Sequence, residues 1–202
     1  MPDLAAAPAT LLIVALLAYL LGSVPFGIVM ARLFGLGDLR KIGSGSIGAT
    51  NVLRTGNKLA AILTLLGDAG KGGVAVLLAQ ASVGRDAAQV AALAALLGHA
   101  YSVFLRFRGG KSVATGLGIF AVLSPPMALG MALAWVGTAA ALRISSLAAL
   151  VACAAAPVLA VWLAPDTVVL TVVLAGLIVA FHHSNIRRLL AGTEPRIGRS
   201  RT

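Results

Sequence analysis

The stretch ATLLIVALLAYLLGSVPFGIVMA at residues 9–31 contains no charged side chain and is apolar almost throughout. A helix needs about 20 apolar residues to cross the hydrocarbon core of a bilayer, which is ~30 Å thick. The stretch therefore predicts a membrane-spanning helix. Only one charged residue, Asp3, precedes it, and no basic residue does. We therefore expect a first span and not a cleaved signal peptide.

Six more apolar segments follow, separated by glycine, proline and charged residues. They cover residues 59–82, 87–105, 111–123, 126–142, 145–163 and 166–184. The segment 111–123 is short for a span, so we expect it to enter the membrane as a partly buried helix. The 23 glycines are typical of helices that pack closely in lipid. The sequence thus predicts an all-α integral membrane protein, a seven-span helical bundle with short or re-entrant helices on the cytoplasmic side.

The composition excludes a soluble domain. Globular proteins carry about 25% charged residues, whereas this chain has 11% charged and 59% hydrophobic residues. With no soluble stretch or long linker in view, we expect residues 1–202 to form a single transmembrane domain. The single cysteine, Cys153, excludes an internal disulfide and a cysteine-built metal site.

The basic residues lie mainly between the spans on one side. If the spans alternate in direction, 14 of the 16 Lys and Arg residues fall on that side, Arg85 falls on the other, and Lys71 lies within a span. Because basic loops remain in the cytoplasm, the N-terminus is expected outside and the C-terminus inside. This bias also explains the net charge of +10. Without an aromatic-rich basic stretch or zinc-ligand spacing, we expect no nucleic acid partner.

The first polar segment is DLRKIGSGSIGATNVLRTGNK, residues 38–58. Its GSGSIG at 43–48 matches a dinucleotide-binding fingerprint only formally, because a membrane helix and not a strand precedes it. Glycines still let backbone amides converge on a phosphate, and a helix starting near Ala49 would point its positive end at the same anion. Thr50 and Arg54 would share one face of that helix. A flexible glycine loop with solvated charges is the alternative.

The second polar segment is GHAYSVFLRFRGGKSVATGLG, residues 98–118. Its GKS is not the end of a nucleotide-binding P-loop, because Leu105 stands where that loop needs glycine. A Gly-Gly-Lys sequence that opens a helix can nevertheless bind an anion through amides and one ammonium group. His99, just inside the preceding span, could equally hydrogen-bond between helices or act in chemistry.

The third polar segment is FHHSNIRRLLAGTEPRIG, residues 181–198. On a continuing helix, His182 and Asn185 would share one face. Anchoring to lipid headgroups would explain the arginines of this segment. It would not explain a histidine, an asparagine and Glu194 alongside them.

Two ionisable residues, Asp68 and Lys71, lie within a predicted span, three positions apart. Ionisable groups at membrane depth are costly and need a partner. We favour a structural pair across one helical turn that supports the first polar segment.

The three polar segments resemble, in order, the three motifs of the bacterial membrane-bound glycerol-3-phosphate acyltransferases that use acyl phosphate. They stand here as GSGSIGATNVLRTG at 43–56, GHAYSVFLRFRGGKSVAT at 98–115 and HHSNIRRLLAGTE at 182–194. GSVPFG at 22–27 is similar to the first-helix signature of that family. The resemblance covers the whole length of the chain. Ser46 and Ile47 stand where the family usually has Asn-Pro.

The resemblance implies a seven-span enzyme of a bacterial plasma membrane with its site facing the cytoplasm. The implied reaction moves a fatty acyl group from acyl phosphate to the sn-1 hydroxyl of glycerol 3-phosphate, giving lysophosphatidic acid and phosphate. No metal, cofactor, acyl carrier protein or obligate protein partner is implied.

Matched positions imply roles for individual residues. His182 is expected to act as general base, with His99 in reserve and Asn185 orienting substrate or stabilising the oxyanion. Glu194 is expected to pair with an arginine or to orient glycerol 3-phosphate. The expected phosphate ligands are Ser44, Ser46, Thr50, Arg54 and Lys111. The other residues expected to contribute to substrate binding are Gly43, Gly45, Asn51, Gly110, Ser146 and Arg188.

Rival functions are less consistent with the sequence. The H-x-x-x-x-D dyad of another acyltransferase class is absent, because the histidines are followed five positions later by Phe104, Arg187 and Arg188. A membrane transporter of a phosphate-bearing solute is the alternative function. Transporters commonly contain internal repeats, whereas the three polar segments are mutually dissimilar. A purely structural subunit would not need Ser, Asn, His and Arg concentrated on one side.

Overall fold

The computed structural model describes residues 6–198, and every regular element in that part of the chain is helical. The α-helices are α1 Pro8–Ser23, α2 Phe26–Leu33, α3 Ala49–Leu53, α4 Lys58–Ser82, α5 Arg85–Ala100, α6 Val113–Leu123, α7 Pro125–Leu142, α8 Ser145–Leu163, α9 Val168–Phe181 and α10 His183–Leu190. Short 3₁₀ turns cover Leu39–Lys41, Val103–Leu105 and Pro165–Thr167. The predicted all-α class is confirmed. Asp3, Arg199 and Arg201 lie outside the described residues.

All seven predicted apolar segments are helical, but the count of seven spans is not confirmed. Five stretches of the described chain are long and apolar enough to cross a membrane: Pro8–Leu33, Lys58–Ser82, Arg85–Leu105, Pro125–Leu142 and Ser145–Leu163. A sixth results if Pro165–Phe181 and His183–Leu190, which meet at 61°, form one broken span. The helix α6 has only 11 residues and is shorter than the predicted segment 111–123. It starts at Val113, because Lys111 and Ser112 belong to the polar loop that precedes it.

The first span is broken where proline requires it. Pro25 has no backbone N–H and separates α1 from α2. The carbonyls left at the end of α1 are satisfied by side chains of other helices: Lys71 Nζ donates to Val24 O at 2.7 Å and Ser102 Oγ donates to Ser23 O at 2.6 Å. The break is therefore a bonded junction between α1, α4 and the end of α5.

Small residues bring the helices together. A Cβ on Gly22 would collide with the backbone of Ala95, and one on Gly118 would collide with the backbone of Ala69. These contacts join α1 to α5 and α6 to α4, while α7 packs on α8 and α8 on α9. Close backbone approach of this kind provides the packing that the hydrophobic effect cannot provide in lipid.

The bundle has two chemically different ends. At one end, Arg85 pairs with Asp166 at 2.6 Å, joining the α4–α5 corner to the α8–α9 corner. At the other end, which we call the basic end, the three polar segments meet. Arg40 Nη2 donates to Arg108 O at 2.7 Å, and Arg54 Nη2 donates to Pro195 O at 3.4 Å.

Candidate active site

The glycine-rich loop at 43–48 is organised by the side chain of Asn51, which is buried on α3. Its Nδ2 donates to Leu39 O at 2.8 Å and to Ser46 O at 2.6 Å, and its Oδ1 accepts from the Ser44 N–H at 3.2 Å. Both ends of the amide are therefore used within the loop. Asn51, predicted to bind substrate, contacts the backbone of the glycine loop in this structure, and its role in substrate binding stays a prediction.

Two loop glycines have the left-handed backbone that favours glycine, with φ of +52° at Gly43 and +70° at Gly45. A Cβ on Gly43 would also meet the side chains of Arg54 and Asn51. The loop thus lies tightly against Arg54.

The hydroxyl groups of the first segment have different surroundings. Ser46 Oγ accepts from the Gly48 N–H at 3.3 Å within the loop. Thr50 Oγ1 lies 3.0 Å from Ser145 Oγ at the start of α8. The helix predicted near Ala49 begins at that residue. Through Thr50 it brings the end of the glycine loop into contact with the start of α8.

Arg54 connects the first and third polar segments. Its Nη1 donates to Asn51 Oδ1 at 3.2 Å, and its Nη2 reaches Pro195 O. Burial lowers the pKa of Arg54, the Glu194 carboxylate opposes that shift, and the Arg188 charge adds to it. Its Nε is buried without a hydrogen-bond partner within residues 6–198. The guanidinium therefore retains a donor for an anion.

Glu194 is the centre of the site. Its Oε1 accepts from Ser146 Oγ at 2.7 Å and from Asn185 Nδ2 at 2.5 Å, and its Oε2 accepts from Arg188 Nε at 2.6 Å. Burial alone would raise the pKa of Glu194, but these hydrogen bonds and the Arg188 charge lower it overall. The carboxylate is therefore ionised at neutral pH. The predicted pairing of Glu194 with an arginine is confirmed.

Lys111 from the second segment belongs to the same charge cluster. Burial lowers the pKa of Lys111 to about 8; Glu194 opposes the shift, while Arg188 and Arg54 add to it. Its ammonium group is therefore mostly protonated near pH 7. Arg188 bonds to the Glu194 carboxylate, and Arg54 and Lys111 interact with it electrostatically. Three cations from three polar segments thus act on one carboxylate, which gives the cluster an excess of positive charge suited to phosphate.

His182 lies between α9 and α10 and is 2% exposed. Its Nδ1 is 2.7 Å from the carbonyl oxygen of Ile178. Because a carbonyl can only accept, Nδ1 carries the proton in this contact, and Nε2 of the neutral ring remains free to accept one. The geometry suits a general base.

Asn185 lies one turn beyond His182 and is 1% exposed. While its Nδ2 donates to Glu194, its Oδ1 is buried with no partner in the described part of the chain. A buried acceptor without a donor costs about 1–3 kcal/mol. The Asn185 oxygen is therefore available to a substrate hydroxyl. The continuous helix that sequence predicted for this pair bends by 61° at His182 instead.

His99 has a different environment. Its Nδ1 is 3.5 Å from Asp68 Oδ1, and the predicted Asp68–Lys71 ion pair is present at 2.9 Å. The Gly110 N–H donates to His99 O at 3.0 Å, and a Cβ on Gly110 would collide with His99 Nε2. His99 thus lies against the loop that carries Lys111.

Two contacts were not predicted from sequence. Ser145 meets Thr50, and the backbone carbonyl of Pro195 accepts from Arg54. The serines at 145 and 146, next to Arg143, mark the start of α8 as polar and so indicate that Ser145 could contact another polar residue. The sequence gives no indication of the Pro195 contact, because every residue has a backbone carbonyl.

Comparison with known proteins finds similar sequences over nearly the whole chain. A family model described as glycerol-3-phosphate acyltransferase matches residues 12–192. A glycerol-3-phosphate acyltransferase from Jannaschia sp. is 62% identical over 187 residues, covering 92% of each chain. One from Cereibacter sphaeroides is 56% identical over 200 residues, covering 98% of this chain and 95% of the relative.

Two solved structures are also similar. Both are crystal structures of PlsY (YgiH), described as an integral membrane glycerol 3-phosphate acyltransferase. The glycerol 3-phosphate form has a TM-score of 0.87 and 40% identity, covering 94% of this chain and 96% of that one. The lysophosphatidic acid form has a TM-score of 0.84 and 37% identity with the same coverage.

Proposed function

Because this chain belongs to the glycerol-3-phosphate acyltransferase family, we propose that it takes the acyl group from an acyl phosphate and transfers it to the sn-1 hydroxyl of glycerol 3-phosphate. The products are lysophosphatidic acid and inorganic phosphate. The observation that carries the proposal is the meeting of Arg54, Lys111 and Arg188 beside Glu194. Both proposed substrates carry a phosphate, and this cluster offers cations from three separate segments.

In the proposed binding mode, Arg54, Lys111 and the hydroxyls of Ser44, Ser46 and Thr50 donate to phosphate oxygens. The amides of Gly43, Gly45 and Gly110 contribute further donors. Charge-assisted hydrogen bonds of this kind contribute about 1.5–3 kcal/mol each. Glu194 holds Asn185, Ser146 and Arg188 in place through its three hydrogen bonds.

The proposed chemistry is a direct acyl transfer. His182 Nε2 takes the proton of the sn-1 hydroxyl as its oxygen attacks the acyl carbon. The new ester C–O bond forms, the bond between the acyl carbon and the phosphate oxygen breaks, and phosphate leaves with the electron pair. Acyl phosphate is a mixed anhydride, so no covalent enzyme intermediate is required. Orientation by Asn185 and stabilisation of the leaving phosphate by Lys111 would supply most of the acceleration.

We also infer the setting of this site. Of the 14 Lys and Arg residues within the described part of the chain, 12 lie at the basic end, which favours a cytoplasmic location in a bacterial plasma membrane, with the N-terminus outside. The acyl chain of the donor would remain in the bilayer while both phosphates meet at its surface.

The donor is tested with purified protein, labelled glycerol 3-phosphate and three matched donors: palmitoyl phosphate, palmitoyl-coenzyme A and palmitoyl-acyl carrier protein. We expect lysophosphatidate and phosphate in equal amounts from palmitoyl phosphate alone, with the acyl group at sn-1. Turnover with a thioester and none with acyl phosphate would contradict the proposed donor. Uptake of glycerol 3-phosphate into vesicles without lysophosphatidate would instead support a transporter.

A further inference from the structure

A second group of arginines lies at the basic end, apart from the bonds of Glu194. Arg40, Leu105, Arg106 and Arg108 line a cavity of about 290 Å³, which we call the arginine cavity. The Glu194 carboxylate is held by Ser146, Asn185 and Arg188, none of which lines it. The mechanism proposed above makes no use of this cavity.

The arginine cavity has a fixed framework. Arg40 Nη2 donates to Arg108 O at 2.7 Å, which ties the first polar segment to the second. Arg106 and Phe107 have left-handed backbones, with φ of 53° and 62°, and the Phe107 N–H donates to Ser102 O at 2.8 Å. Left-handed non-glycine residues are strained and persist where the surroundings hold them.

The charge of the lining selects an anion. Three arginines and no acidic residue line the arginine cavity. An adjoining cavity of about 570 Å³ shares Arg40 and Leu105 and adds Arg32. Its one carboxylate, Asp38, already accepts from the Arg40 N–H at 3.0 Å. Guanidinium groups bind phosphate through paired hydrogen bonds, so a phosphate group suits this lining.

The apolar surroundings select an amphiphile. Phe104 and Phe107 are 60% and 61% exposed and flank Arg106 in the sequence, so the arginines adjoin exposed apolar surface. Of the apolar residues that line the adjoining cavity, Ile28 is partly exposed, whereas Ala31 and Leu39 are buried. A soluble anion would leave Phe104 and Phe107 uncovered, whereas an anionic lipid would cover them.

We propose that the arginine cavity binds the phosphate of an anionic membrane phospholipid of the phosphatidylglycerol class. Arg106 and Arg108 hold the headgroup phosphate, with Arg40 fixed behind them. The acyl chains run past Phe104 and Phe107 into the bilayer. This site is separate from the one that would hold the two substrates of acyl transfer.

The test is lipid retention in native mass spectrometry after detergent purification and incubation with phosphatidylglycerol or phosphatidylcholine. The variant Arg106→Asn with Arg108→Gln removes both headgroup ligands, and asparagine tolerates the left-handed backbone at position 106. The control Arg187→Gln removes an exposed arginine of α10 that does not line the cavity. We expect the double variant to retain phosphatidylglycerol about thirtyfold less than the parent, since each of the two basic residues near an anionic lipid contributes about fivefold.

The control variant is expected to retain phosphatidylglycerol like the parent, and phosphatidylcholine is expected to be lost from all three proteins. Lysophosphatidate formation in detergent is expected to be unchanged in the double variant, which shows that it is folded. If the double variant loses that activity, the single variant Arg108→Gln replaces it. Equal retention of the two lipids by the parent, or undiminished retention of phosphatidylglycerol by a folded cavity variant, would overturn the proposal.

Discussion

Two adjacent histidines offer a matched test of the proposed base. His182 is buried and leaves Nε2 free, whereas its neighbour His183 is exposed. We expect His182→Ala to lower kcat by about 10²–10⁴-fold, the usual contribution of a general base. His183→Ala should retain parental activity. Steady-state kinetics of both variants, with matched elution on size exclusion, make the comparison; a parental rate for His182→Ala would remove it from the mechanism.

The pKa of Lys111, about 8, predicts a pH dependence of binding. Because the protonated form is the one that binds phosphate, its share falls from about nine-tenths at pH 7 to about one-tenth at pH 9. We therefore expect KM for a phosphate-bearing substrate to rise about tenfold over this interval. Lys111→Arg keeps its charge throughout, so its KM should change little from pH 7 to pH 9. Parallel KM profiles for parent and variant would show that Lys111 does not titrate against substrate.

At the scale of elements, Lys71 pairs with Asp68 within α4 and also donates to Val24 O of the broken first span. Asp68 and Lys71 pair at 2.9 Å with their side chains 3% and 1% exposed. Removing one partner leaves a buried charge alone, which costs about 3–5 kcal/mol. We expect Lys71→Met to lower the melting temperature in detergent substantially. Arg85→Met breaks an exposed ion pair with Asp166. Such a pair contributes about 0–1 kcal/mol to the free energy of unfolding, so this variant should unfold close to the parental temperature. Equal melting temperatures for the two variants would contradict a structural role for Lys71.

Two glycines test the contact between α4 and α6. A Cβ on Gly118 would collide with the backbone of Ala69, whereas one on Gly137 of α7 would meet nothing within 4 Å. We expect Gly118→Ala to destabilise the protein and to reduce activity, because α6 follows directly after the loop that carries Lys111. Gly137→Ala should be neutral or stabilising by up to about 1 kcal/mol, the helix propensity difference. Measuring the melting temperatures of the two variants separates the effect of helix packing from the effect of helix propensity.

The sequence predicted which segments are helical better than it predicted where each helix ends or bends. Apolar runs marked every long helix, because burial in lipid demands a continuous apolar stretch. The bend at His182 was missed, since no proline or glycine marks it and a histidine side chain bonds to Ile178 O there. Asp68 with Lys71 and Arg188 with Glu194 were predictable, because a charge near a membrane core needs a partner. The contacts of Asn51 with the glycine loop were not predictable, because its partners there are backbone atoms: the carbonyls of Leu39 and Ser46 and the N–H of Ser44.

For the whole molecule, the proposed site depends on the three polar segments facing the same side of the membrane. The structure joins them through Arg54 and Arg40, and we infer the compartment that they face from their charge. In a Cys153→Ala background, single cysteines at Lys41, Arg106 and Arg187 report on one segment each. All three positions are exposed.

In spheroplasts, a membrane-impermeant maleimide should label none of these three cysteines until the membrane is permeabilised. A cysteine at Ser82, exposed at the opposite end of α4, should label without permeabilisation. Each variant must retain lysophosphatidate formation, so that labelling reports on the folded protein. Labelling of the three segments from different sides is incompatible with a shared site, because Arg54 and Lys111 could not then act on the same phosphate.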